Sequence, residues 1–198
     1  MKKPKAQVDY WFPTPIWNHT FESIQDSTYE DAISYCIDCK NKSDGRIRSN
    51  VGGWQSNDLL LSDIIATPLE PFFTEINMLL PDIVSNIAST SSLKVTNFWI
   101  NINKKGDSNM PHHHPNSHLS GAFYLTDNNS SIKFLRESTT ALWWLSCLIS
   151  KNNTVPSFNV AEYFPKRGTL LIFPSWMAHL VESNDSDQDR ISISFNTL

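Results

Sequence analysis

Five of the six histidines in this 198-residue chain lie at two separate places in the sequence. Four of them fall between His112 and His118, and the fifth is His179. Neutral imidazole is the commonest protein ligand for iron, copper, nickel and zinc. Arg190 follows shortly after His179 and could hold a carboxylate beside a bound metal. This combination indicates a redox metalloenzyme.

The spacing of the histidine triplet selects two of its members as metal ligands. In extended backbone, residues i and i+2 point to the same side, so His112 and His114 can share one ion while His113 points away. The prolines on both sides of the triplet favour extended backbone. His179, at the start of a predicted strand, is the expected third ligand, and three ligands leave three positions open on an octahedral ion. A chance surface run of histidines is the alternative.

Arg190 is predicted to bind the far carboxylate of a dicarboxylic acid, assisted by the hydroxyl of Ser192 two residues further on. Each charge-assisted contact of this kind contributes about 1.5–3 kcal/mol. The alternative is an exposed arginine that closes the acidic loop at residues 185–189. Of the other histidines, we expect His118 to lie near the site or on the surface, and His19 to be structural.

Composition limits the class of protein. Hydrophobic residues make up 40% and charged residues 18% of the chain, which is typical of a globular fold. The net charge of −4 gives no general attraction to nucleic acid or to an anionic membrane, and the longest mostly apolar run, residues 141–149, is too short to span a bilayer. The three cysteines, Cys36, Cys39 and Cys147, favour a reducing cytoplasm. We expect the first two to pack within a helix rather than to bind zinc.

The order of the predicted elements indicates an α+β fold with a double-stranded β-helix (jelly-roll, cupin-like) core and N-terminal helices packed outside it. Residues 1–92 are predicted to form helices, at 28–40 and 69–86, and loops, including a polar glycine loop at 49–56. Pro81 should kink or split the second helix. The predicted strands cover residues 95–102, 119–125, 131–135, 158–164, 169–173, 179–182 and 191–195.

The whole chain, residues 1–198, is predicted to be one domain, with the jelly-roll core in residues 93–198. Residues 137–159 look like an insertion between core strands, because paired tryptophans are followed there by a polar run. Trp143 and Trp144 could form a lid over a substrate or could pack on the outer sheet.

Several segments, in order along the chain, resemble the 2-oxoglutarate/Fe(II)-dependent oxygenases related to prolyl hydroxylases. This largely uncharacterised family is common in phages and marine bacteria, so a phage-encoded member would work in the host cytoplasm. The segments that carry the resemblance are residues 11–16, 49–56, 109–124, 168–174, 175–181 and 190–196.

The resemblance implies Fe(II) bound by His112, His114 and His179, and 2-oxoglutarate as the cosubstrate anchored by Arg190. Better-known relatives have aspartate or glutamate at the position of His114. Three neutral imidazoles leave Fe(II) with its full 2+ charge, which the 2-oxoglutarate dianion would neutralise. Zinc or nickel would also accept these ligands.

The implied activity is that of a dioxygenase, expected to be a hydroxylase, whose cofactors carry the chemistry while the protein orients them. Ser192, Tyr124 and Asn101 are predicted to line the cofactor pocket with Arg190, and Trp99 is a further candidate. The expected substrate is a protein side chain or a small molecule, with no membrane and no nucleic acid partner; a homodimer is left open. The alternatives are a cupin-like three-histidine metalloenzyme that does not use 2-oxoglutarate and a non-catalytic binding module of the same fold.

Overall fold

The computed structural model describes residues 14–87, 92–127, 129–136 and 160–198. The predicted insertion at 137–159, with its Trp143–Trp144 lid, lies outside the described residues. The elements are, in chain order, β1 (Trp17–Thr20), α1 (Asp26–Asn41), β2 (Asn50–Val51), β3 (Trp54–Gln55), a 3-10 helix (Leu61–Ile64), α2 (Glu70–Ser85), β4 (Val95–Asn103), β5 (Ser108–His112), β6 (Leu119–Tyr124), β7 (Ile132–Leu135), β8 (Val160–Tyr163), β9 (Thr169–Pro174), β10 (His179–Val181) and β11 (Arg190–Thr197).

The strands form two antiparallel sheets. One sheet has the order β1-β9-β6-β11-β4-β3, and the other has the order β2-β5-β10-β7-β8. Neighbours in space are distant in sequence, as in β6, which lies between β9 and β11. This is the predicted jelly-roll core, and the prediction of an α+β fold is confirmed.

The two faces of the six-stranded sheet differ, as its strand β11 shows. Ile191, Ile193 and Phe195 belong to the main hydrophobic cluster, which also contains most of the buried side chains of α1 and α2. The alternate residues, from Arg190 to Asn196, line a cavity on the other face. Since successive side chains of a strand point to opposite faces, the helices cover one side of this sheet and the cavity lies on the other. The predicted packing of the helices outside the β core is therefore confirmed.

Both predicted helices are present. Of the two effects predicted for Pro81, the split of the second helix is wrong, and the kink stays a prediction. α2 runs without interruption from Glu70 to Ser85. Leu80, Ile83 and Val84, on both sides of the proline, are buried in the core. Packing of this apolar face keeps the helix continuous where the proline removes one backbone hydrogen bond.

The expectation that residues 1–92 hold only helices and loops is also wrong, because β1, β2 and β3 lie there. β2 pairs with β5 in one sheet and β3 pairs with β4 in the other, so the chain crosses between the sheets at Gly52 and Gly53. Both glycines have positive φ, and a Cβ atom at Gly52 would lie 2.0 Å from Oδ1 of Asp107. Glycine is therefore required at this crossing. Among the described residues, no helix is long and apolar enough to cross a membrane.

Candidate metal centre

His112, His114 and His179 lie together at the edge of the cavity between the two sheets. One ring nitrogen of each lies within 4.8 Å of the corresponding nitrogens of the other two. The ring centroids are 4.3 Å apart for His112 and His179, 5.2 Å for His112 and His114, and 5.1 Å for His114 and His179. In the described part of the chain, this is the one group of three or more such side chains that could hold a metal ion.

Strand pairing and a tight turn bring the three rings together. His112 and His179 are direct partners across the β5–β10 pair. β5 ends at His112, and His114 lies in the loop that follows. As predicted, His112 and His114 both belong to the cluster, while His113 is exposed. The backbone N–H of His114 donates to the Ser175 carbonyl at 2.9 Å, and Asn116 turns the loop with a φ of 62°. Asparagine tolerates this left-handed conformation.

Hydrogen bonds at Nδ1 orient the rings. Nδ1 of His112 lies 2.7 Å from the Met110 carbonyl oxygen, and Nδ1 of His179 lies 3.0 Å from the Met177 carbonyl oxygen. A carbonyl oxygen only accepts, so in both neutral rings Nδ1 carries the proton and Nε2 offers its lone pair. Nδ1 of His114 instead lies between two side-chain oxygens.

The histidines are electrically suited to bind a cation. Burial, together with the neighbouring imidazoles, lowers the pKa of His114 to about 4 and that of His179 to about 3. Burial also lowers the pKa of His112. All three rings are therefore neutral near pH 7, which is the form that binds a metal.

Arg190 is buried in the wall of the same cavity. Its side chain is 1% exposed, which excludes the exposed arginine considered from the sequence. Nη1 donates to the Glu182 carbonyl oxygen at 2.9 Å, while the buried Nη2 has no hydrogen-bond partner among the described residues. Burial lowers the pKa of the guanidinium from its usual value. A buried charge without a carboxylate is costly, so this position is suited to an anionic ligand.

The other predicted pocket residues lie in one row across three adjacent strands. Ser192 pairs with Tyr124 on one side and with Asn101 on the other. Burial raises the pKa of Tyr124 to about 12, so its hydroxyl is a neutral donor. The amide of Asn101 donates to Ser194 Oγ at 3.1 Å.

The three clustered histidines, Arg190 and this row of residues line one cavity of about 930 Å³. Trp99 also lines it, with its ring centroid 5.4 Å from that of His114. Arg46 and Asp58 lie on the cavity wall and form two hydrogen bonds of 2.7 Å; no motif in the sequence marks them as site residues. The alternating polar residues of β4 and β11 could have indicated further members, because every second residue of each strand faces the cavity. They are Asn97, Asn103, Ser194 and Asn196.

The remaining histidines and the cysteine pair lie elsewhere. His113 and His118 are exposed, as expected. His19 lies 2.6 Å from a Glu75 carboxylate oxygen, which supports its structural role. Cys36 is fully buried within α1 among core side chains.

Comparison with known proteins identifies a family whose members this chain resembles in sequence. The model of a family described as "Putative 2OG-Fe(II) oxygenase" matches residues 97–196. No protein of curated function matches the sequence. Solved structures share the fold. A prolyl-4-hydroxylase from Pseudomonas putida is 12% identical, with a TM-score of 0.62 and 92% of each chain covered.

HygX from Streptomyces hygroscopicus, solved with nickel and 2-oxoglutarate, is 13% identical, with a TM-score of 0.61 over 93% of this chain and 82% of that one. A prolyl hydroxylase from Trichoplax adhaerens, solved with a hypoxia inducible factor peptide, is 11% identical, with a TM-score of 0.63 over 92% of this chain and 83% of that one. The family match spans half of the chain and includes the three clustered histidines and Arg190. The chain therefore belongs to this family and is a 2-oxoglutarate/Fe(II)-dependent oxygenase.

Proposed function

We propose that this oxygenase binds Fe(II) through His112, His114 and His179, binds 2-oxoglutarate through Arg190, and hydroxylates a substrate. The observation that carries the proposal is the state of Arg190. Its buried Nη2 has no partner among the described residues and lies in the wall of the cavity that holds the three histidines. A carboxylate would accept a charge-assisted hydrogen bond from this unpaired Nη2.

The three-histidine donor set fits Fe(II). Imidazole suits iron, and three protein ligands on an octahedral ion leave room for a cosubstrate and dioxygen. Because all three rings are neutral, the charge of the ion stays at 2+, and the 2-oxoglutarate dianion balances it. An aspartate in place of His114 would instead leave the complex with a charge of −1.

The row of residues beside Arg190 fits the far end of 2-oxoglutarate. The Glu182 carbonyl oxygen holds Nη1 of Arg190 and so orients the guanidinium. Tyr124 and Ser192 offer hydroxyl groups from the adjoining strands, and Asn101 completes the row. The guanidinium supplies the charge, and the hydroxyls supply neutral hydrogen bonds.

When bound, Fe(II) and 2-oxoglutarate supply the oxidising chemistry: dioxygen converts 2-oxoglutarate to succinate and CO2, and one oxygen atom enters a C–H bond of the substrate. The residues of this chain hold the cosubstrate and keep water away. Phe173, which is buried, packs 4.7 Å from the His179 ring, and Phe134 packs 5.8 Å from it. These aromatic rings make one side of the histidine cluster apolar.

The proposed substrate is a protein side chain or a small molecule. Support comes from the cavity, whose volume of about 930 Å³ lies at the upper end of the range for small-molecule sites. This volume is larger than 2-oxoglutarate, a five-carbon diacid, would fill, so a substrate can enter beside it. Proteins of the same fold include a prolyl hydroxylase solved with a peptide and a carbocyclase from nogalamycin biosynthesis.

Anaerobic titration with Fe(II) and 2-oxoglutarate tests the proposal. Chelation of the iron by the ketoacid should give a metal-to-ligand charge-transfer band in the wild-type protein. His114→Ala should abolish the band, whereas His113→Ala, which removes the adjacent exposed histidine, should leave it intact. Absence of the band in the wild-type protein would refute the proposal. Iron binding without the band would favour a three-histidine metalloenzyme that does not use 2-oxoglutarate.

A further inference from the structure

We propose that Asp58 sets the ring tautomer of His114 through two intervening side-chain amides, those of Asn97 and Asn196, and thereby keeps Nε2 of His114 available to the metal. We call these four residues the amide chain. The inference rests on the proposed function, in which His114 is a metal ligand. Asp58, Asn97 and Asn196 act as positioning residues.

His114 needs such a device because its surroundings do not otherwise choose its tautomer. Backbone carbonyl oxygens fix the other two histidines, and these can only accept a hydrogen bond. Nδ1 of His114 lies 2.7 Å from Ser120 Oγ and 2.9 Å from Asn196 Oδ1. A hydroxyl group can donate or accept, so Ser120 is compatible with either tautomer. The orientation of the Asn196 amide therefore decides.

The amide chain starts at a group whose polarity is fixed. The Asp58 carboxylate accepts two hydrogen bonds of 2.7 Å from Arg46, and this contact holds the pKa of Asp58 below its usual range. An ionised carboxylate can only accept. Asn97 must therefore turn its Nδ2 towards Asp58, and it donates to Oδ1 at 2.9 Å. Its own Oδ1 then faces the other way.

The next contact carries this polarity to the metal centre. Asn97 and Asn196 are direct partners across the β4–β11 pair. Nδ2 of Asn196 donates to Oδ1 of Asn97 at 3.3 Å, which leaves Oδ1 of Asn196 facing His114. Reversing Asn196 would place two oxygens together unless Asn97 also reversed, and a reversed Asn97 would place its oxygen against the carboxylate. Each amide orientation is thus fixed by the one before it.

The amide oxygen then selects the tautomer of His114. With the proton on Nδ1, the ring donates into Ser120 Oγ and Asn196 Oδ1. With the proton on Nε2, the lone pair of Nδ1 would face the lone pairs of Asn196 Oδ1 at 2.9 Å. Ser120 has a single proton, and Asn196 Oδ1 at 2.8 Å and Ser175 Oγ at 2.8 Å compete with Nδ1 for it. The protonated Nδ1 is therefore favoured, and Nε2 keeps its lone pair.

This arrangement matches the departure of this chain from the usual ligand set. A carboxylate ligand presents an acceptor lone pair on either oxygen and has no tautomer. A histidine at the same place binds the metal through Nε2 only when its proton is on Nδ1. The replacement of a carboxylate by His114 therefore requires an acceptor at Nδ1, and the amide chain provides one of defined orientation.

The test measures the tautomer of His114 by 15N NMR in the metal-free protein at pH 8, and Ni(II) affinity by calorimetry. In the wild-type protein we expect Nδ1 to carry the proton. Asp58→Ala releases both amides, so we expect a mixture of tautomers and Ni(II) affinity about tenfold lower, at the low end of the effects of such supporting residues. Asn97→Ala should give the same result. The double variant Asp58→Ala/Asn97→Ala should show no further loss, because both changes break one chain.

Two controls separate polarity from loss of packing or of the ion pair. Arg46→Gln removes the ion pair but keeps the carboxylate, so the tautomer should not change. Asp63→Ala removes another aspartate, whose Oδ2 accepts from the Leu60 N–H at 2.7 Å outside the amide chain, and should also have no effect on the tautomer.

A rescue variant completes the design. In Asp58→Ala/Asn196→Asp, a carboxylate at position 196 accepts in any orientation and should restore the protonated Nδ1 without Asp58. The proposal is overturned if Asp58→Ala leaves the tautomer unchanged, or if Arg46→Gln alters it as strongly. Because the tautomer is measured without metal or cosubstrate, failure of the wild-type protein to bind Ni(II) would count against the proposed function and not against the amide chain.

Discussion

Replacement of Arg190 by methionine should weaken 2-oxoglutarate binding and at the same time stabilise the ligand-free protein. Methionine has an apolar, flexible side chain that fills the space of the arginine stem. The change removes a guanidinium that is 1% exposed and whose Nη2 has no partner among the described residues. It also removes one hydrogen bond, from Nη1 to the Glu182 carbonyl oxygen. Affinity should fall while stability rises, because the same buried charge attracts the ligand and destabilises the ligand-free fold.

The size of each effect follows from the contacts. Nη1 is already used, so Arg190 can offer one or two charge-assisted hydrogen bonds to the ligand, worth about 1.5–3 kcal/mol each. Loss of one such bond should raise the dissociation constant for 2-oxoglutarate by roughly 12- to 140-fold, and loss of two should raise it further. Replacing buried charges by apolar residues of similar volume is often neutral or stabilising by about 1–4 kcal/mol. Each kcal/mol corresponds to roughly 2–4 °C in the melting temperature for a protein of this size.

Calorimetry with Ni(II) and 2-oxoglutarate measures the affinity, and thermal unfolding of the metal-free protein measures the stability. Arg167→Met is the matched control, because Arg167 forms an ion pair with Asp26 at 2.8 Å and does not line the cavity. We expect it to leave 2-oxoglutarate affinity unchanged. An affinity reduced less than threefold in Arg190→Met would refute the assigned role of Arg190. A melting temperature well below that of the wild-type protein would refute the reasoning that this charge is a burden in the ligand-free state.

Three further predictions follow from other parts of the molecule. Gly121→Ala should destabilise the protein by about 1–3 kcal/mol in urea denaturation, because the new methyl group would lie 2.3 Å from the Phe195 ring; a change below 0.5 kcal/mol would contradict this. The lowered pKa of Asp58 means that its contribution to stability is present above the usual aspartate value of about 3.9 and is lost as the pH falls through the lower folded-state value. The difference in unfolding free energy between the wild-type protein and Asp58→Ala should therefore shrink below about pH 4, and a constant difference would be inconsistent with it. Ni(II) at about 100 times its dissociation constant should stabilise the wild-type protein by about 2.7 kcal/mol but should not stabilise His179→Ala, as measured by thermal shift.

Much of the site could be predicted from the sequence because its parts are short local patterns. The spacing of His112 and His114, and the position of Arg190 after His179, were sufficient to select side chains that the fold brings to one cavity. The jelly-roll core was also predictable, because β-branched and aromatic runs separated by turn residues mark most of its strands. The assignment of the whole chain to a single domain remains a prediction.

The short strands β2 and β3 and the amide chain could not be predicted in the same way. A strand of two residues is too short to show an alternation of polar and apolar side chains. The sequence around Gly52 and Gly53 is that of an ordinary loop, and only the structure shows that the strands on its two sides belong to different sheets. Asp58, Asn97 and Asn196 are polar residues of common types, and the last lies 138 positions after the first (196 − 58). The pairing of β4 with β11 brings Asn97 next to Asn196, and the backbone hydrogen bonds between Leu59 and Phe98 bring Asp58 next to Asn97. No local sequence pattern records these contacts.

The cavity-facing side of β11 shows what the fold gives up for its chemistry. A strand in the middle of a sandwich could be apolar on both faces, as buried strands often are. Here Ser194 accepts a hydrogen bond from the Asn101 amide, and Asn196 donates one to Asn97, both on β4. Burying these two polar side chains therefore costs little free energy. Arg190 differs, since its Nη2 has no partner among the described residues. Among the fully buried side-chain atoms that the structure describes in the cavity wall, Nη2 is the one charged donor left without a partner, and it concentrates binding energy on a carboxylate. An apolar residue at position 190 would suit the ligand-free fold better, so the arginine is explained by the ligand it binds and not by the stability of the fold.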